Sequence, residues 1–190
     1  MAIVHWIILA LWFVFLAYWA IAAIGVKRNI VGTPWWKRSS LRLSFLVLVI
    51  VVLSVPALHR VLRPAQAREA GSVLMGAIGA ALVALGLGLA VCARTYLGRN
   101  WGSPMSRKED AELVTGGPYA SIRHPIYTGI ILAMLGTTIG ESIDWLLPLV
   151  LTAAYLIYSA RREEEFMCQK FGERYQAYML RTKMIVPFVL

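Results

Sequence analysis

Two long runs, Val4 to Val26 and Gly71 to Ala93, contain no Asp, Glu, Lys or Arg, and they limit this chain to very few folds. As a helix rising about 1.5 Å per residue, each is long enough to cross a hydrocarbon layer of about 30 Å. Backbone in lipid has no water to satisfy its N–H and C=O groups, so runs of this kind become helices. Composition points the same way: 59% of the 190 residues are hydrophobic and only 15% are charged, more apolar surface than a soluble domain of this size encloses. The first run lacks a small-residue cleavage site behind a short apolar core, so it reads as an anchor and not as a removed signal peptide.

Further spans follow along the chain. Leu43 to Leu58 is shorter, rich in β-branched residues and closed by Pro56, and it crosses only with help from Leu41 or His59. The run from Gly71 carries small residues at Gly76, Gly79, Ala80, Ala84 and Gly88, the kind that lets helix backbones approach closely in lipid. From Ile126 to Ala160 the chain is apolar except for "GESID", which predicts two antiparallel helices, Ile126 to Gly140 and Ile143 to Ala160. Arg161 to Lys183 is too polar to span, and its apolar residues recur at threes and fours, predicting an amphipathic helix broken near Gly172. The expected fold is all-α: a polytopic membrane helix bundle of about five transmembrane helices with a cytosolic C-terminal helix. Residues 1–190 read as one domain, with three spans in 1–93 and a loop, a helical hairpin and the last helix in 94–190.

The formal charge of +9 does not point to nucleic acid, because the basic residues fall between apolar segments and form no stripe. With five spans, sixteen of the nineteen Lys and Arg residues lie on one side, and Arg60, Arg63 and Arg68 lie on the other. That asymmetry puts the C-terminus and the Arg94 to Arg123 loop in the cytoplasm and the N-terminus outside, in an inner (plasma) membrane. Cys92 and Cys168 have neither metal-ligand spacing nor the density of a disulfide framework, so neither carries the chemistry. No metal is expected.

The polar stretches share the cytoplasmic side. They are "LGRNW" at Leu97 to Trp101, "ELVTGGPYASIRHPIYTG" at Glu112 to Gly129, "RREEEFM" from Arg161, and "FGERYQAY" at Phe171 to Tyr178. In this combination and order the chain resembles the isoprenylcysteine carboxyl methyltransferase family and the related phospholipid methyltransferases, from about Leu97 to Pro187. The resemblance implies methyl transfer from S-adenosylmethionine to a lipophilic acceptor dissolved in the membrane. It also implies cofactor contacts at Ala111, Glu112, Leu113, Val114, Tyr119, His124, Pro125, Ile126, Tyr127 and Glu163. Prenylcysteine enzymes have an arginine four residues before the first glutamate, where this chain has Ser159. Arg161 and Arg162 are the candidates to meet an acidic acceptor instead, Arg162 the better placed because it follows Ser159 by three residues.

The residue types suit that reading. A glutamate in a water-poor crevice pairs with a cationic ligand, tyrosines offer flat walls with polar tips, and Pro125 in a first helical turn leaves no N–H unpaired in lipid. His124 can donate and accept. Each residue also has a plainer reading: Arg123 and His124 as headgroup anchors, the tyrosines as an interfacial belt, and Glu163 to Glu165 as a solvated helix start. It is the conjunction of motifs that favours chemistry. An NADPH-dependent membrane reductase of the sterol and steroid type and a non-enzymatic membrane scaffold are the competing functions.

Overall fold

The computed structural model describes residues 2–22, 73–98 and 112–185. They form five α-helices: α1 (Ala2–Ala22), α2 (Val73–Leu97), α3 (Pro125–Gly140), α4 (Leu146–Phe171) and α5 (Glu173–Arg181). Single 3-10 turns precede α3 (Gly117–Ala120) and α4 (Ile143–Trp145). No strand is present among the described residues beyond one isolated parallel bridge, Ile122 to Lys183. Among the described residues, three segments are long and apolar enough to span, Ile3–Ala22, Val73–Leu97 and Ile143–Phe171. The expected span at 43–58 lies outside the described residues.

At 16 residues, α3 covers about 24 Å, less than a full hydrocarbon layer. It packs closely along α2 from Gly129 to Gly140. Both helices bring small residues to the contact at threes and fours: Gly79, Val83, Gly86 and Ala90 on α2 meet Gly129, Ala133, Gly136 and Gly140 on α3. A Cβ built on Gly79 would stand 2.6 Å from the Gly136 carbonyl oxygen, and one on Gly136 would stand 2.7 Å from the Val83 nitrogen. Only glycine lets the two backbones come this close. Gly88, one of the small residues expected to pack, faces open space.

Against this pair lies α1, with Ile8 and Phe15 buried on Val83, Leu87, Ala90 and Ala133. Two polar ties cross to α3: Trp12 Nε1 donates to Thr137 Oγ1 at 3.0 Å, and His5 Nδ1 lies 2.8 Å from Glu141 Oε2. At the other end of α1, Arg94 turns back from the last turn of α2 and donates to the carbonyls of Ala22 and Gly98. A cation at two helix C-termini is where the helix dipoles favour it.

The helical hairpin lies where the sequence put it, with Ser142 Oγ accepting from the Asp144 N–H at 3.2 Å at the turn. One boundary differs: no break falls at Ala160, and α4 continues to Phe171. The polar stretch from Arg161 is therefore a continuation of the last span, and one rigid rod connects the apolar layer to the polar end. The expected break at Gly172 is present. Its φ of +54° is open to glycine and costly for other residues, and it turns α5 back across the start of α3.

Candidate functional site

Pro125 is the first residue of α3 and is fully buried. A residue that precedes proline is pushed out of helical geometry, and His124 adopts φ −124° and ψ 59°. Its N–H is thus free of the helix and donates to the Met184 carbonyl at 3.1 Å. On either side, the Arg123 N–H donates to the Lys183 carbonyl at 2.8 Å and the Lys183 N–H to the Ser121 carbonyl at 3.1 Å. Thr128 Oγ1 closes the set on the Ile185 carbonyl at 2.5 Å. Residues 182–185, following α5, are a strap across the mouth of α3.

The loop leading to that mouth needs Gly117 at φ +58°, with the Tyr96 ring against its Cα. Gly116 is extended and unconfined. The loop buries Tyr119, whose carbonyl accepts the Tyr178 hydroxyl at 2.6 Å from α5. Burial pushes the Tyr119 phenol above its ordinary range, the neighbouring Tyr178 and Glu163 adding to the rise.

On α4 the residues facing α3 are Leu156, Ser159, Ala160 and Glu164, a helical spacing. Successive glutamates then point about 100° apart, and each finds a different environment. Glu163 Oε1 accepts the Tyr127 hydroxyl at 2.6 Å, while its Oε2 lies 3.7 Å from His124 Nδ1. Glu164 Oε1 accepts from Arg123 Nε at 2.6 Å and lies 3.3 Å from His124 Nε2. Glu165 pairs with Arg162 at 2.6 Å, both side chains at least half exposed. The His124 ring stacks on Tyr127, centroids 5.4 Å apart and planes 7° from parallel. Its Nε2 is enclosed and makes no hydrogen bond.

The structure brings together much of the expected set. Tyr119, Ile126 and Tyr127 are buried in one apolar cluster with Val114 packed on it, and His124, Pro125 and Glu163 border that cluster. Leu113 is half-buried and Glu112 is exposed, while Ala111 lies outside the described residues. Arg161 and Arg162 are not brought to it. Counted from Ser159 at about 100° per residue, Glu163 falls about 40° away and Arg162 about 60° to the other side, which sends Arg162 outward to Glu165.

Two partnerships went unread in the sequence. Arg123, taken as a possible headgroup anchor, is instead spent inside the protein on Glu164 and on the carbonyls of Met179 and Thr182. Tyr175 and Tyr178, taken as possible belt residues, face inward: Tyr175 is buried and Tyr178 holds the loop. Their spacing, three apart on a short amphipathic helix, was the available signal.

The described residues therefore define a helical membrane bundle with an anionic, aromatic-walled cluster where α3, α4 and α5 meet. The model of the phospholipid methyltransferase family matches residues 74–174, more than half of the 190-residue chain, and the chain belongs to that family. The match reaches back into α2, well before Leu97. Curated relatives include the protein-S-isoprenylcysteine O-methyltransferase of Schizosaccharomyces pombe, 31% identical over 44% of this chain and 36% of that protein. A methanethiol S-methyltransferase of a Pseudomonas species is 35% identical over 36% of this chain and 26% of that protein. The chain thus spans well under half the length of these relatives. Among solved structures, the eukaryotic intramembrane Ras methyltransferase (isoprenylcysteine carboxyl methyltransferase) shares the fold. Its TM-score is 0.56 at 22% identity, covering 84% of this chain and 55% of that one.

Proposed function

We propose that this protein is an S-adenosylmethionine-dependent methyltransferase acting on a lipophilic acceptor that reaches it from the bilayer. The observation that carries this reading is the His124–Tyr127–Glu163 cluster at the mouth of α3. Among the acids and arginines, the cluster sets two carboxylates, Glu163 and Glu164, against one guanidinium, Arg123. Its surplus is negative, which suits a ligand whose sulfonium and ammonium outweigh its one carboxylate. Stacked rings and the apolar side chains of Val114 and Ile126 suit a flat adenine.

When bound, the cofactor supplies a methyl group on a cationic sulfur, ready for in-line displacement. The protein's part is to hold and to align. Glu163 would pair with the cation, Tyr127 fixing its carboxylate from behind at 2.6 Å. Tyr119, Ile126, Tyr127 and Val114 would wall the nucleoside, with Pro125 and His124 lining the mouth and Glu112 and Leu113 adding contacts. An acceptor with an insoluble tail would enter sideways from the bilayer. The basic asymmetry of the loops supports a cytoplasmic location for this end of the bundle, where the cofactor would be available.

Ligand-dependent melting of the purified protein tests the reading. S-adenosylhomocysteine should raise the melting temperature by mass action, and NADPH should not. A shift with NADPH alone returns the protein to the reductase class, and no shift with either leaves the scaffold reading. Cysteines placed near Gly116 and near Arg68 should label from opposite faces of the membrane; labelling from one face overturns the orientation.

A further inference from the structure

We propose that α5 and the strap behind it dock on an anionic phospholipid surface, with Leu180 inserted among the acyl chains and Arg174, Arg181 and Lys183 on the headgroup phosphates. Docking holds α5 against the mouth of α3 and so tightens the cofactor site. That second half rests on the methyl-transfer reading; the first does not.

α5 has nine residues, too few for a helix to persist alone in water, and it spends one face on the protein. Tyr175 is buried, Tyr178 donates to the Tyr119 carbonyl at 2.6 Å, and the sulfur of Met179 lies 3.7 Å from that of Cys168 on α4. The opposite face is bare. Arg174, Ala177 and Arg181 recur along it at threes and fours, and Lys183 follows; all are exposed. None of the three cations forms an ion pair among the described residues. Glu173, the one acid of α5, stands at its first residue, where the helix dipole favours it. The far end of α5 is thus purely basic. A helix C-terminus favours cations on its own account, but that does not explain Leu180. Its side chain is 90% exposed, more than any other large apolar side chain among the described residues.

The level of Leu180 identifies what covers it. α4 is apolar up to Ala160 and charged from Arg161, so the edge of the hydrocarbon falls there. Gly172 turns α5 back toward that edge, and Arg123 ties the Met179 and Thr182 carbonyls to Glu164, one turn beyond it. The strap then continues inward. The Ile185 carbonyl accepts Thr128 Oγ1 at 2.5 Å, inside the first turn of α3, and the Ile185 side chain is buried in the cluster that holds Leu156 and Ala160. Leu180, Arg181 and Lys183 therefore stand at the boundary between acyl chains and headgroups. A leucine gains there by entering the lipid, while arginine and lysine lay their stems along it and carry their charge to phosphate. Anionic headgroups match the unopposed charge.

The inner face of the same short helix holds the site. Tyr178 fixes the Tyr119 loop, and residues 182–185 bond to Ser121, Arg123, His124 and Thr128. Docking and cofactor binding then favour one arrangement of α5, and such coupling is reciprocal.

The first test reads docking without cofactor. The full chain with Cys92→Ser, Cys168→Ala and Leu180→Cys carries a spin label at position 180, in nanodiscs of phosphatidylcholine alone or with about one-third phosphatidylglycerol. In the anionic discs the label should be shielded from a water-soluble nickel chelate and relaxed by oxygen, and high salt should weaken the shielding. A label equally open to water in both lipids leaves the face to some other partner and overturns the proposal. A label equally shielded in both overturns the role of charge. The second test is titration of S-adenosylhomocysteine. Its dissociation constant should be at least about fivefold lower in the anionic discs, and the gain should vanish in Arg174→Gln/Arg181→Gln/Lys183→Gln. In phosphatidylcholine alone the triple variant should bind as the unaltered protein does, which shows its fold intact; if it does not fold, the lipid comparison on the unaltered protein decides. Equal affinity in the two lipids, a gain kept by the folded variant, or the same gain from soluble glycerophosphoglycerol in neutral discs overturns the coupling. No binding in either lipid is a different failure, that of the methyl-transfer reading, and leaves docking to the label.

Discussion

Arg123 Nε and Glu164 Oε1 meet at 2.6 Å with side chains only 10% and 11% exposed, and this pair joins the start of α3 to the polar end of α4. Through its Nη1 the same guanidinium reaches the Met179 and Thr182 carbonyls at the end of α5. One residue of the loop thus fastens two helices and the strap behind them. Removing one partner of an enclosed pair strands the other charge. Glu164→Ala should therefore cost about 3 to 5 kcal/mol of stability, read as a large fall in melting temperature in detergent. Glu165→Ala, which opens the exposed Arg162 pair, should cost no more than about 1 kcal/mol. Similar losses from both would mean that Arg123 finds other partners when Glu164 is gone.

The α2–α3 seam gives a second contrast. A methyl on Gly136 would stand 2.6 Å from the Gly79 carbonyl oxygen, among backbone atoms that cannot rotate aside. Gly136→Ala should lower stability by about 1 to 3 kcal/mol, the usual penalty for overpacking. Gly88→Ala, with nothing within 4 Å of its new methyl, should be neutral or slightly stabilising, since alanine is the better helix former. Equal melting temperatures for the two variants would argue that the helices separate more easily than their contact implies.

Much of this was legible in the sequence because lipid is a demanding solvent. Apolar runs without charge can only be helices there, so α1, α2 and the hairpin of α3 and α4 follow from composition and one turn signal. Pro125 announced the start of α3, and Gly172 announced the turn into α5. What could not be read was direction around a helix at its polar end. Arg161 to Glu165 are five consecutive charged residues, so periodicity has no apolar marker to orient them. Arg162 shares a nominal face with Ser159, but the glutamates settle the matter by finding three different partners. Arg123 was obscure for a related reason: its partner lies 41 residues away, and nothing local distinguishes an ion pair inside the protein from a headgroup anchor.

The third prediction separates the glutamates functionally. Glu163, held by Tyr127 and facing His124, is placed to meet a cation, whereas Glu165 faces water. Glu163→Gln should raise the dissociation constant of S-adenosylhomocysteine at least about tenfold, the effect of about 1.4 kcal/mol lost from one charge-assisted contact. Glu165→Gln should leave it within about twofold, as expected for an exposed pair. Titration calorimetry on detergent-solubilised protein decides between them. If the two variants bind alike, the glutamates serve the helix and not the ligand.

The last prediction concerns alkaline stability, where tyrosines outside the membrane carry the effect. Burial pushes the Tyr178 phenol up to about 12, Arg123 opposing the rise and Glu164 adding to it. Burial also raises Tyr119 and Tyr175. In an unfolded chain a tyrosine loses its proton near 10. Between about 10 and 12, then, the unfolded chain has released protons that the folded protein still holds, and rising pH favours unfolding. The stabilisation is complete below about 10 and is lost as pH climbs through the folded value. Melting temperature should be flat in this respect through neutral pH and fall steeply above about 10. Tyr178→Phe should melt lower at neutral pH, having lost a bond to the Tyr119 carbonyl worth about 1 kcal/mol. Its melting temperature should then fall less steeply than that of the unaltered protein as pH rises. Parallel slopes for the two proteins would show that Tyr178 keeps its proton no more tightly when folded than when unfolded.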